Sequence, residues 1–252
     1  PGIDGAVASV MKTAKNSSTM GYLIRPDLPG NGGGVLANQW SLVMDLFYPV
    51  ESSGKARAIL QIDDPFTNGN GAELSINANN GLGALEGHGV IEPNTWHRMV
   101  VTVDQAIEPP TMKVYIDGEI VGKEFLPVDP VLGQVDGRWA ILDQTSAYGD
   151  DSVLLFTDNG GRSEIGYVGS VQFHDDVLSD GYVAGLGGPV AGGIQTDVQV
   201  IAAIESFSPA PGDPMVFPES LIEILLADGD QPVAEDSIKL ILNGESVSPD
   251  IQ

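Results

Sequence analysis

The sequence predicts an all-β protein, and three observations carry that prediction. Apolar residues recur with a period of two in many short runs, the spacing of side chains that alternate across a pleated strand. Breaks rich in glycine and proline separate the runs, drawing on 32 Gly and 17 Pro in 252 residues. Between two of the runs stands Asp117-Gly118, a strong hairpin signal because a type I′ turn needs positive φ at both central residues. No long amphipathic helix interrupts this pattern, and many short strands at regular spacing make a sandwich or a barrel.

Residues 1–20 are weakly patterned, with a loop at Lys15 to Ser18, and are read as an N-terminal segment or linker. Gly30-Asn31-Gly32-Gly33-Gly34 is too permissive for an element interior. From Trp40 to Tyr48 the chain alternates: Leu42, Met44, Leu46 and Tyr48 share one face, and Ser41, Val43, Asp45 and Phe47 share the other. A further strand is expected at Ala56 to Ile62, ended by the polar loop DDPFTNGNG. Glu73 to Asn77 and the glycine-spaced GLGALEGHGVI follow. Trp96 to Asp104 and Met112 to Ile116 are the next strands, and Glu119 to Val121 starts the return after the Asp-Gly turn. Later strands are expected at Arg138 to Leu142, Val153 to Phe156 and Ile165 to Phe173. A short helical turn is expected at Ser179 to Leu186, with Ser179 as N-cap and Gly187 as stop. The stretch GGPVAGG, residues 187–193, breaks the composition. Beyond it come three strand candidates, Val198 to Ile204, Leu221 to Leu226 and Ile238 to Leu242, the last before an Asn243-Gly244 turn.

Charge narrows the function. Thirty-five acidic residues against 11 Lys and Arg give a formal charge of −24, which argues against nucleic acid, since phosphate binding needs clustered cations. The balance favours divalent cations, although a solvated acidic face is the commoner meaning. Zero cysteine excludes disulfides, Cys-zinc sites and thiol catalysis. No apolar run approaches a membrane span. A start at Pro1, with no basic-then-apolar leader, reads as a processed product or an excised fragment.

Several stretches together resemble one family. NGGG followed by NQWSLVMDLFYP, then NTWHRMVVTVD, KVYIDGEIVG, LLFTDNGG and YVGSVQFHDDVLSDGYVAGLGGP resemble the concanavalin A-like lectin/glucanase superfamily, on its laminin-G-like and pentraxin-like side, over residues 21–190. The resemblance implies a jelly roll of two antiparallel sheets serving carbohydrate or protein recognition outside the cell. Residues 195–252 resemble the first half of a bacterial immunoglobulin-like module, which would leave an apolar face and an unpaired edge exposed. Many relatives place an acidic residue where this chain has Gly169, which puts a calcium site dependent on that residue in doubt.

Glucanases of that superfamily carry a compact Glu-x-Asp-x-Glu or Glu-x-Asp-x-x-Glu run, and none occurs here. Asp117-Gly118-Glu119 is explained by its turn. His88, His97 and His174 form no zinc spacing, and no Gly-x-Ser-x-Gly elbow is present. Calcium is the cofactor to consider. Its candidate ligands are Asp63 and Asp64 in one loop, with Asn68 and Asn70 beside them, and Asp150, Asp151, Asp158 and Asn159 in a second region. The competing reading is that Asp and Asn are turn formers. For sugar stacking, Trp40 and Trp96 read as core. Trp139 and the loop residue Tyr148 are the aromatic candidates, with Asn68 and Asn70 to take hydroxyls.

These readings converge on a non-catalytic recognition or adhesion module, secreted or on a cell surface and bacterial, binding carbohydrate or a surface protein. Two alternatives stay open: a structural subunit that self-associates through its C-terminal β segment, and an accessory domain of a larger secreted enzyme.

Overall fold

The computed structural model describes residues 2–15, 21–62, 71–128, 133–141, 153–209, 221–242 and 244–251. The chain is all-β, with antiparallel sheets in a sandwich-like arrangement. It divides into two compact units, Pro1–Leu178 with Leu186–Thr196, and Ser179–Gly185 with Asp197–Gln252.

In the first unit the strands are β1 (Met11–Thr13), β2 (Tyr22–Ile24), β3 (Gln39–Phe47), β4 (Arg57–Gln61), β5 (Leu74–Ile76) and β6 (Leu82–Gly83). They continue with β7 (Trp96–Asp104), β8 (Thr111–Ile116), β9 (Glu119–Phe125), β10 (Val153–Leu155) and β11 (Gly166–His174). One sheet has six strands in the order β1-β11-β3-β7-β8-β9, and the other five in the order β2-β10-β4-β5-β6. The period-two pattern explains the layering. Trp40, Leu42, Met44 and Leu46 of β3 point inward with Met99, Val101 and Val103 of β7. They share one core cluster with Ile59, Leu74, Ile76, Val153 and Leu155 of the second sheet.

The β8–β9 hairpin turns as expected: Asp117 has φ 54° and Gly118 φ 90°, both in the region a type I′ turn requires. Its first turn residue is doubly used. The Asp117 carboxylate accepts the Arg98 N–H at 2.8 Å and lies 2.7 Å from His97 Nδ1.

Three expectations need correction. Met11–Thr13 is no linker: it forms the edge strand β1 and pairs with β11, because its backbone completes a ladder that residue patterning in so short a run cannot announce. Arg138 to Leu142 is not a strand over its described part. Only Ile141 bridges, to Ala37, and Ala140 N turns back onto the Gly137 carbonyl at 3.0 Å. Val198 to Ile204 is displaced: the strand there is β12 (Ala203–Ser208), which pairs with β13 (Glu223–Ala227) through a register shift.

The second unit also holds most of helix α1 (Asp180–Leu186) and the hairpin β14 (Leu240–Leu242) to β15 (Glu245–Val247). Ser179 caps α1 by accepting the Tyr182 N–H at 3.2 Å, and Gly187 ends the helix at φ 55°. Residues 198–201 cross the helix at its glycines, where the Ile201 N–H donates to the Gly181 carbonyl at 3.2 Å. A Cβ on Gly181 or Gly185 would collide with the carbonyls of Ile201 and Gln199.

Candidate functional site

The outer face of the six-stranded sheet has a closed part and an open part, and the ladder register sets where each falls. Asp45 of β3 stands directly opposite Arg98 of β7 and opposite Ser170 of β11. That row is shut. The Arg98 guanidinium donates to both Asp45 oxygens, at 2.7 and 3.0 Å, and to the Leu186 carbonyl at 2.7 Å, with both side chains wholly buried. Ser41 ties down the same covering segment: its Oγ donates to the Asp176 carbonyl at 2.7 Å and accepts the Leu178 N–H at 3.0 Å.

One row further along the face, the register places Lys12, Tyr167, Phe47 and Trp96 side by side on β1, β11, β3 and β7. Phe47 and Trp96 have ring centroids 5.6 Å apart, Phe47 and Tyr167 are 5.8 Å apart, and the Lys12 ammonium lies 5.9 Å from the Tyr167 ring. All three rings are half-buried, and none belongs to the sandwich core. Trp96 Nε1 is enclosed and has no hydrogen-bond partner among the described residues, so the part of the ring that reaches the surface is carbon. Beside it, Gly169 sits in the bulge of β11. A Cβ there would lie 3.0 Å from Ile3 Cδ1 and 3.6 Å from Trp96 Cζ3, so the missing side chain leaves room for both the buried Ile3 and the indole to approach the bulge. The result is an apolar strip four strands wide, with a cation at one end. An aromatic ring carries a negative face that attracts the hydrogens of C–H groups.

Trp96 corrects the expectation that it is core: its alternation phase puts it on the face opposite Met99, Val101 and Val103. Trp139 is corrected the other way. It is 2% exposed, its carbonyl accepts the Trp40 indole N–H at 2.9 Å, and Arg138 lies over its ring, so it is no platform for a ligand.

Asp158 is likewise a structural residue. Fully buried, its carboxylate takes Arg162 Nε at 2.6 Å, Arg162 N at 3.0 Å and Ala72 N at 3.2 Å, which leaves it committed before any metal could arrive. Asn159 lies next to it, with its N–H on Gln61 Oε1 at 3.1 Å. Tyr148, Asn68, Asn70, Asp63, Asp64, Asp150 and Asp151 lie outside the described residues. Among the described residues no group of three or more His, Cys, Asp or Glu is arranged to hold a metal ion.

Among the described residues the buried carboxylates are all in use as structural acceptors. Besides Asp45 and Asp158, Glu73 takes the Ile62 N–H at 2.7 Å and Arg138 at 3.1 Å, and Glu124 takes the Ala84 and Leu85 N–H groups at 3.0 and 2.7 Å. His97 has both ring nitrogens occupied, Nδ1 by Asp117 and Nε2 by the Glu92 N–H at 3.1 Å. His88 Nε2 lies 3.1 Å from Glu124 Oε1 without the alignment of a hydrogen bond. At the loop end, Asp136 accepts from Val35 N, Leu36 N and Asn38 Nδ2 at 3.0, 2.8 and 2.9 Å. Burial pushes its carboxyl up, and those hydrogen bonds more than reverse the effect, leaving it below the usual range.

No protein-family model and no curated protein matches the chain. Among solved structures, similarity is partial. A mutant of Trypanosoma rangeli sialidase displaying trans-sialidase activity is 14% identical, with 59% of this chain matching 22% of that one at a TM-score of 0.41. A mutant of HCR/D is 14% identical, with 72% of this chain matching 42% of that one at a TM-score of 0.45. The binding domain of botulinum neurotoxin DC, solved with rat synaptotagmin II, is 10% identical, with 59% matching 35% at 0.39. The chain spans less than half the length of each. Likeness at this level identifies no family and transfers no ligand or activity.

Proposed function

We propose that this chain is a non-catalytic recognition module, acting in secreted form or at a cell surface, that binds neutral carbohydrate. The observation that carries the reading is the row Lys12, Tyr167, Phe47 and Trp96, three half-buried rings aligned across neighbouring strands on a face the sandwich core does not use. The apolar side of a sugar ring presents C–H groups, and an aromatic face carries the complementary negative charge. Sheet-borne rings are held rigidly, which keeps the ordering cost of binding low. A net charge of −24 repels polyanions, which points to an uncharged glycan. The commitment of each buried carboxylate among the described residues to structural donors supports binding over hydrolysis.

Tryptophan fluorescence tests this directly, because Trp40 and Trp139 are buried and Trp96 is not. Titration with neutral oligosaccharides should shift the emission of Trp96, and Trp96→Ala should abolish glycan binding while the far-UV circular dichroism stays unchanged. A bound glycan whose affinity survives Trp96→Ala and Phe47→Ala would overturn the assignment of this row.

A further inference from the structure

The described strands of the second unit leave their apolar side chains exposed or half-buried. From Asp197 onward no described residue is buried, although β12, β13, β14 and β15 are rich in apolar side chains. In the β12–β13 pair, Ile204 stands opposite Leu226, and Ile224 follows two residues along on the same face. Ile204 is 45% and Ile224 36% exposed. In the β14–β15 pair, Leu240 stands opposite Val247, with Leu242 on the same face. Among the described residues these are two separate two-stranded sheets. A lone strand pair is marginal in water, and each open edge offers unpaired N–H and C=O groups to another strand.

Charge says what that strand must carry. Residues 197–252 hold eleven acidic residues and one basic residue, Lys239. A second copy of the chain would set one strongly acidic unit against another, and like charges across an interface oppose association. A strand with lysine or arginine alternating with apolar residues meets both requirements at once. Its apolar side would cover Ile204, Ile224 and Leu226, and its cations would lie among carboxylates such as Glu223. We infer that the second unit takes up an extended, basic and apolar segment of a partner protein by strand addition beside β13.

The whole 252-residue chain can be tested with three labelled peptides, alternating valine and lysine, valine and glutamate, and serine and lysine. Binding is read by fluorescence anisotropy and by amide hydrogen exchange over 203–208 and 223–227. The valine-lysine peptide should bind at least about tenfold tighter than the valine-glutamate one. It should also slow exchange in β13 and weaken as salt rises from about 50 to about 300 mM. Ile224→Asp should remove the protection and leave the tryptophan emission of the first unit unchanged. Equal binding by the serine-lysine peptide would reduce the effect to bulk charge and overturn the proposal. So would sedimentation showing that the chain alone dimerises through these strands, or an absence of protection in β13.

Discussion

Asp45→Ala is the perturbation whose cost the structure defines best. Asp45 and Arg98 are both fully buried, and the carboxylate accepts two of the guanidinium's hydrogen bonds, at 2.7 and 3.0 Å. Its removal leaves a buried cation with one remaining acceptor, the Leu186 carbonyl at 2.7 Å. Breaking a buried pair on one side costs about 3–5 kcal/mol, because the stranded charge cannot reach water. Removing both charges is far cheaper. In Asp45→Leu/Arg98→Met the loss should fall to roughly 1–3 kcal/mol, the cost of the orphaned Leu186 carbonyl. All three tryptophans lie in the first unit, so urea unfolding followed by their emission reads that unit alone. The single variant should therefore be less stable than the double. A single variant within about 1 kcal/mol of the parent, or a double variant that loses the sum of both singles, would refute the claim that burial makes this pair interdependent.

Burial raises the Tyr48 hydroxyl to about 12, an effect the nearby Arg57 charge only partly offsets. Its contribution to stability should be complete below the ordinary value of about 10 and lost as pH rises through about 12, visible as late tyrosinate absorbance coincident with unfolding. Asp136 titrates the other way: its depressed carboxyl contributes fully above the ordinary carboxyl range and loses that contribution as pH falls through its lower folded value. Asp136→Asn should accordingly flatten the acid limb of a urea-midpoint profile. Gly118→Ala puts a Cβ at φ 90° in the hairpin turn and should cost roughly 1 kcal/mol in urea unfolding. Gly169→Ala should shift Trp96 emission, because its Cβ would lie 3.6 Å from Trp96 Cζ3 and crowd Ile3 Cδ1 at 3.0 Å, with little change in circular dichroism.

Much of the sandwich was legible because a period of two is written directly into its longest strands. Trp40 to Tyr48 and Trp96 to Asp104 each declare two faces, and the structure buries the expected one in β3. Alternation does not say how two strands align, however. The row that joins Lys12, Tyr167, Phe47 and Trp96 comes from four strands whose paired residues lie up to 155 positions apart, as Lys12 and Tyr167 do, and only their register makes them neighbours. The three tryptophans show the consequence. Trp96 leads a strand as Trp40 does, yet its phase relative to Val101 and Val103 turns it outward. Trp139 follows a glycine-rich loop as an exposed residue might, yet its carbonyl and ring are locked against Trp40 and Arg138. Asp158 illustrates a second limit. Asp-Asn-Gly reads as a turn or a cation ligand until Arg162, one helical turn's spacing away, is seen to close on it.

The closed row and the open row are two residues apart on the same strand pair, and this adjacency gives the aromatic strip its rigidity. A half-exposed ring on a free sheet face would sample several rotamers, and fixing them would oppose binding. Here the Asp45–Arg98 pair anchors the covering segment one step away, while Ile3 and Trp96 both approach the space where a side chain on Gly169 would stand. Phe47 is then held between Trp96 and Tyr167 by rings on both neighbouring strands. Sheet stability alone would be satisfied by such cross-strand contacts fully covered, as they are two rows away at Val43 and Val100. A strip so firmly supported yet left uncovered has the properties of a surface arranged for contact with something outside the fold.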